Sequence, residues 1–293
     1  MRIAVTGKHG QVVSSLIERG RFDRVEITAL GRPELDLADP DSIRRSLLDA
    51  KADVIVSAAA YTAVDKAETD EANAFDVNAR GPLAIANFAA EHGIPLVHIS
   101  TDYVFSGEKP TPYTEDDRPS PTSVYGLSKL AGENAVANAG PDHVILRTSW
   151  VYSPFGNNFL KTMLRLAETR DVVNVVSDQH GTPTSALDIA DAILEVSRQL
   201  TSNPDARLRG RFHLSGTGEA TWADFAEVIF ERLYTRTGRC PKVKRIPSED
   251  YPTPAKRPAN SRLSSKKLAD SYGLILPEWE KSTVATVDRL LER

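Results

Sequence analysis

Hydrophobic and polar positions alternate in blocks along the first half of the chain. Residues 2–7 (RIAVTG) form a short apolar run of β type closed by glycine. Residues 11–20 (QVVSSLIERG) carry Val12, Leu16 and Ile17 at helical spacing and end at Gly20. Residues 24–30 (RVEITAL) predict a second strand. Residues 39–50 (DPDSIRRSLLDA) open with cap residues and place Ile43, Leu47 and Leu48 on one face of a predicted helix. Residues 52–60 (ADVIVSAAA) are continuously apolar, as a strand covered on both faces requires. A helix over 69–92, a strand at 94–100 (IPLVHIS), a helix holding Tyr125 and Lys129, and a strand at 143–152 (HVILRTSWVY) continue the alternation.

Strands alternating with helices predict an α/β fold, a doubly wound, Rossmann-type parallel sheet. After Val151 the pattern loosens. Helices are expected at 158–168, 186–200, 220–234 and 280–292, with a proline-punctuated loop at 247–263. The expected division is a nucleotide-binding domain over 1–152, rejoined by a segment within 170–200, and a smaller mixed α/β substrate-binding part over 153–293.

Composition narrows the classes. The chain has 293 residues, 41% hydrophobic and 26% charged, as a globular protein with a sizeable core has. Its net charge of −4 points away from nucleic acid and anionic membranes. The basic cluster Lys242, Lys244 and Arg245 reads as a solvated loop. Cys240 is the only cysteine, which excludes an intrachain disulfide and a cysteine metal cage and fits a reducing compartment. The first residues run straight into a glycine turn, unlike a signal peptide, and no apolar run has the length of a membrane span. The expectation is a soluble, cytoplasmic protein.

Candidate chemistry appears in three places. Gly7 and Gly10 occupy the turn between the first strand and the first helix, where glycine allows a sharp turn and phosphate can meet free helix N–H groups. Val13 stands where a third small residue would complete the pattern, so helix and sheet are expected to pack slightly further apart. Arg32 follows the second strand and would favour the 2′-phosphate of NADPH, with NADH as the alternative cofactor; it also reads as a solvated loop arginine. At the end of the fourth strand stand Ser100, Thr101 and Asp102, followed by Tyr125 and Lys129, four residues apart and so on one helical face. A nearby ammonium lowers a phenol's pKa, which predicts that Lys129 readies Tyr125 for proton exchange with a carbonyl oxygen that Thr101 also binds, beside a nicotinamide.

With these residues in place the chain resembles the extended short-chain dehydrogenase/reductases. The blocks GKHGQV, AAAYTAVDKAE, DVNARGPLAIA, STDYVFSG, VYGLSKLAGE, LRTSWVY, GNNFLKTML, SDQHGTPTSALDIA and KRPANSRL, spread over residues 5 to 263, resemble the dTDP-4-dehydrorhamnose reductase family. The resemblance implies reduction of dTDP-4-dehydro-β-L-rhamnose to dTDP-β-L-rhamnose by NADPH or NADH, with a nucleotide sugar as the small-molecule partner. It implies Tyr125 as proton donor, Lys129 at the nicotinamide ribose and Thr101 at the substrate carbonyl. Gly10, Gln11 and Val12 match the pyrophosphate turn, Asp36 and Leu37 the adenosine contacts, and Ala60, Tyr61, Thr62 and Ile99 the cofactor's flank. Asp102, Trp150, Asn157, Arg257 and Asn260 match substrate contacts. Some members dimerise around a metal held by carboxylates; Ser15 stands where one such acid is expected, so no metal is predicted and the chain is expected to be a monomer or weak homodimer. A nucleotide-sugar dehydratase or epimerase is the neighbouring alternative, although Tyr103 stands where dehydratases carry a glutamate. A non-catalytic regulatory subunit, such as relatives provide for methionine adenosyltransferase, is the alternative from another class.

Overall fold

The structure is a computed structural model that describes residues 1–292. β1 (Arg2–Thr6), α1 (Gln11–Phe22), β2 (Glu26–Leu30), α2 (Pro40–Ala50) and β3 (Val54–Ser57) open the chain. Two short helices, α3 (Val64–Ala67) and α4 (Glu71–Phe75), lead into a π-helical turn at Asp76–Arg80 and then α5 (Gly81–His92). β4 (Leu96–Thr101), α6 (Val124–Ala139), β5 (His143–Thr148) and β6 (Val151–Tyr152) follow. The second half holds α7 (Phe159–Ala167), β7 (Val172–Val176), β8 (His180–Gly181), β9 (Thr184–Ser185), α8 (Ala186–Ser202), β10 (Gly210–His213) and β11 (Ala220–Thr221). It ends with α9 (Trp222–Thr237), β12 (Lys242–Ile246), α10 (Lys266–Tyr272) and α11 (Trp279–Leu291).

Six strands form one sheet in the order β10-β5-β4-β3-β1-β2, parallel throughout. Successive side chains of a strand point to opposite faces, and the core divides accordingly. Ile3, Val5, Val54, Val56, Val144 and Leu146 pack with α1, α8 and α10 on one face. Ala4, Ile55, Leu96 and Ile145 pack with α2, α5 and α6 on the other. The fold is the expected doubly wound, Rossmann-type sheet. A third apolar cluster joins α7, α9, α11 and β7 in a smaller mixed α/β part.

Several elements differ from the sequence reading. The helix expected over 69–92 is interrupted by the π turn, which carries Asn78 inward to full burial. The strand expected over 143–152 breaks at Ser149 and Trp150, where Trp150 has φ +48°. Leu48 is 46% exposed while Ile43 and Leu47 are buried, because the buried stripe of α2 runs through Ser42, Ile43, Ser46 and Leu47. Lys242, Lys244 and Arg245 belong to β12, not a loop: the strand pairs parallel with β7, and Arg245 bonds Asp224 and Glu227 on α9. β10 extends the main sheet beyond the segment expected to rejoin it. Val13 needs no looser packing, since Gly7 leaves room beside it (a Cβ there would stand 3.2 Å from its Cγ2) and it is 2% exposed.

Candidate active site

A cleft of about 570 Å³ opens over the C-terminal ends of β1, β3, β4 and β5. The chain leaves β1 toward β2 on one side and returns to β3 on the other, and such a switch point is where doubly wound sheets bind ligands. One end of the cleft is the β1–α1 turn. Gly7 has φ +104°, which favours glycine, and Gly10 is an N-cap that supplies no side-chain acceptor to α1. A Cβ on Gly10 would meet no atom within 4 Å, so the space beside this uncapped helix start is open. This end fits a phosphate-bearing group.

Gly7, Gly10, Gln11, Val12, Ala60, Thr62 and Ile99 all line the cleft. The Gln11 side chain is already engaged: its Nε2 donates to the Val151 carbonyl at 3.3 Å, and its Oε1 accepts from Ser153 and Asn158 at 2.9 Å each. Tyr61 is turned away, its phenol donating to Asp70 at 3.0 Å. Arg32, Asp36 and Leu37 do not line the cleft. Arg32 is exposed on the loop after β2, 3.9 Å from Asp36, whose Oδ1 accepts from the Ala38 N–H. Leu37 is buried in the core. That loop nevertheless abuts the glycine turn, because Gly31 lies against Lys8 and Gly7.

The other end collects the reactive groups. Thr101, Asp102, Tyr103, Tyr125, Lys129, Trp150 and Asn157 line it. Ser123 caps α6 by accepting from the Gly126 N–H, and Gly126 has no side chain to hold the helix off the Tyr103 backbone. Tyr125, Lys129 and Glu133 then recur every four residues along one face. Thr101 Oγ1 accepts from the Tyr103 N–H and donates to Asp102 Oδ1 at 3.0 Å. Asp102 Oδ2 makes no hydrogen bond. Burial pushes Asp102 up to about 6, opposed by the Ser261 and Thr101 hydroxyls. The hydroxyl of Thr148, also on the lining, is buried without a partner.

Burial likewise raises Tyr125 above the usual phenol value, and only the Thr101 hydroxyl acts against it. The expectation that Lys129 lowers Tyr125 is corrected here. Lys129 Nζ donates to the Ile99 carbonyl at 2.7 Å and does not contribute to the Tyr125 shift. Lys129 is itself pushed down to about 8 by burial, against the pull of Glu133. An ammonium removed from water without a carboxylate in direct contact is poorly stabilised.

Arg257 is not on the lining but acts on Tyr103, which is. It pairs with Asp65 at 2.6 Å, its Nη1 is buried without a partner, and its charge works against the burial that raises Tyr103 to about 12. Asn260 is used structurally: its amide donates to the Lys109 and Thr111 carbonyls and its Oδ1 accepts from Arg262. Ser15 is buried and donates to the Gln11 carbonyl. Among the described residues no group of three His, Cys, Asp or Glu side chains could hold a metal, and no helix is long and apolar enough to cross a membrane.

Two features escaped sequence reasoning. Asn78 grips Tyr61 by its N–H (2.8 Å) and carbonyl (3.1 Å), and reaches Ser128, whose hydroxyl donates to the Tyr125 carbonyl. Glu133 is bonded by Ser100, Arg147 and Arg211 behind the site. Asn78 lay in the matched block DVNARG, and Glu133 in the four-residue repeat of Tyr125 and Lys129; those were the signals available.

The sequence model of the family described as "RmlD substrate binding domain" matches residues 1–292. A dTDP-4-dehydrorhamnose reductase of Sinorhizobium fredii is 56% identical over 291 residues, covering 99% of this chain and 98% of the relative. A crystal structure of a dTDP-4-dehydrorhamnose reductase from Clostridium acetobutylicum superposes with TM-score 0.91 at 39% identity and covers 99% of both chains. One from Bacillus anthracis, in complex with NADP, superposes with TM-score 0.91 at 33% identity, covering 98% of this chain and 99% of that one.

Proposed function

The chain belongs to the RmlD substrate-binding-domain family, that of the dTDP-4-dehydrorhamnose reductases, and on that premise we propose how its cleft performs the reduction. The protein is an oxidoreductase that converts dTDP-4-dehydro-β-L-rhamnose to dTDP-β-L-rhamnose, the reducing step of dTDP-rhamnose biosynthesis, with NADPH as reductant and NADH as its substitute. The observation that carries the site assignment is the meeting of Thr101, Tyr125 and Lys129 on the lining of one cleft with an uncapped glycine turn.

Gly7, Gly10 and the backbone of Gln11 and Val12 hold the cofactor's diphosphate. Arg32 takes the 2′-phosphate, the loop carrying Asp36 borders the adenosine, and Ala60, Thr62 and Ile99 form the flank. When bound, the reduced nicotinamide supplies the hydride. Thr101 orients the C4 carbonyl oxygen, and Tyr125 gives that oxygen its proton as negative charge develops. Lys129 holds the nicotinamide ribose. Asp102 and Thr148, with unpaired buried oxygens, suit a ligand rich in hydroxyls. Trp150, Asn157 and Arg257 contact the sugar nucleotide, while Asn260 acts indirectly by fixing the Lys109–Thr111 loop.

Residues 1–152, with α8 and β10, form the cofactor half, and the cluster of α7, α9 and α11 forms the substrate half. The single cysteine and the absence of an apolar span among the described residues support a cytoplasmic site of action. Ser15 in place of a metal-binding acid supports a monomer or weak homodimer. The test mixes protein, NADPH and dTDP-4-dehydro-β-L-rhamnose and follows NADPH absorbance together with the sugar product. One NADPH oxidised per dTDP-β-L-rhamnose formed is the expected result. Sugar interconversion with no net NADPH loss would establish an epimerase instead.

A further inference from the structure

Trp150 has a backbone that a bulky residue rarely adopts. Its φ of +48° lies in the left-handed region, and such outliers persist only where their surroundings enforce them. Three contacts enforce this one. The Trp150 carbonyl accepts from the Thr184 N–H at 3.2 Å. Gly181 lies against the indole, and a Cβ there would stand 2.7 Å from Cζ2 and 2.8 Å from Nε1. The third contact is a second indole: Trp222 stacks on Trp150 at 3.7 Å between centroids and 12° between planes.

Trp222 does not line the cleft. It is the first residue of α9, fixed by a capping box between Thr221 and Asp224, and Phe159 packs on it at 4.7 Å. Its Nε1 donates to Gln179 Oε1 at 3.2 Å, and Gln179 Nε2 donates to Ser248 Oγ at 2.9 Å. Ser248 in turn donates to Asp178 through both its N–H and its hydroxyl. A hydrogen-bonded chain therefore sets the rotation of the hidden ring, and the hidden ring sets the plane of the one in the cleft.

We propose that Trp222, oriented by Gln179, is a positioning residue that holds Trp150 flat as the wall against which the nucleotide sugar packs. The inference rests on the reductase reading of the cleft. It assigns the α9 start and the Asp178–Ser248 contact a part in substrate affinity and none in hydride or proton transfer. Without the backing ring, Trp150 gains rotational freedom that the ligand must then remove on binding.

The experiment measures kcat, KM for both substrates, and calorimetric binding of dTDP-β-L-rhamnose in the presence of NADPH, for the full chain and for Trp222→Leu, Trp222→Phe and Gln179→Leu. Circular dichroism follows the exciton band of the stacked indoles. Trp222→Leu should lose that band and raise the sugar-nucleotide KM and Kd about tenfold, equivalent to about 1.4 kcal/mol and within reach of one stacked aromatic pair. KM for NADPH should not move, and Trp222→Phe should recover most of the affinity. A folded Trp222→Leu protein with unchanged product Kd overturns the proposal. If that variant does not fold, Gln179→Leu decides: weaker product binding with an altered exciton band supports the proposal, and unchanged binding overturns it. A parent protein that binds the product without consuming NADPH in the forward assay would refute the catalytic reading, while the binding series still judges Trp222.

Discussion

Replacing Glu133 by glutamine tests the charge network behind the active site. Glu133 is fully buried and Arg147 is 1% exposed. Two hydrogen bonds join them, Nε to Oε1 at 2.8 Å and Nη2 to Oε2 at 2.7 Å, and Ser100 adds a third at 2.6 Å. Glu133→Gln keeps the shape but removes the charge. Arg147 then remains buried with no carboxylate hydrogen-bonded to it, its Nη1 already unpaired. Arg211, bonded to Glu133 at 3.3 Å, is 35% exposed and can turn to water, so it adds little. Removing one partner of a buried pair costs about 3–5 kcal/mol. At about 2–4 °C per kcal/mol for domains of 150–250 residues, Tm falls by about 6–20 °C. Glu133→Leu combined with Arg147→Met should lose less than the single change, because no charge is left buried. A second readout follows from Lys129. Glu133 holds Lys129 up against burial, so its loss lowers Lys129 further below about 8. The ammonium is then lost at lower pH, and the alkaline limb of the kcat profile moves down. An unchanged Tm together with an unmoved limb would refute the reasoning.

Three further outcomes are expected. Asp102 is raised to about 6 in the folded chain, against about 3.9 unfolded, so the folded state keeps a proton between those values. Its contribution to stability is full below about pH 4 and is lost as pH rises through about 6; in Asp102→Asn this slope disappears, and Tm relative to the parent should climb across that window. Gly132→Ala places a methyl on the Asn78 carbonyl of the π turn, which should cost about 1–3 kcal/mol in a denaturant titration. Thr221→Ala removes the capping box of α9 and should cost about 1 kcal/mol, checked by the same titration.

The two ends of the cleft were legible in the sequence for the same reason. A glycine turn, a strand end and an i,i+4 pair are local patterns, and the parallel sheet brings all three to one edge. The long-range features were not legible. β10 has four residues, too few to show a period, and joins the sheet only through β5. Alternating basic residues hid β12, whose pairing partner β7 lies far away in the chain. The Trp150–Trp222 stack joins residues 150 and 222, and the break at Trp150 follows from tertiary contacts with Gly181 and Thr184. Lys129 lines the cleft, but its partner is a backbone carbonyl on β4, which no residue pattern encodes. Asn260 stood in a matched block, yet its amide is consumed by carbonyls of a distant loop.

The central claim is that Tyr125 delivers the proton to the C4 oxygen. The most direct measurement is the single-turnover rate of NADPH oxidation, with dTDP-4-dehydro-β-L-rhamnose saturating, for the parent and for Tyr125→Phe. A loss of about 10²–10⁴ in rate, with binding of dTDP-β-L-rhamnose unchanged, is the predicted result. Equal rates in the two proteins would contradict it.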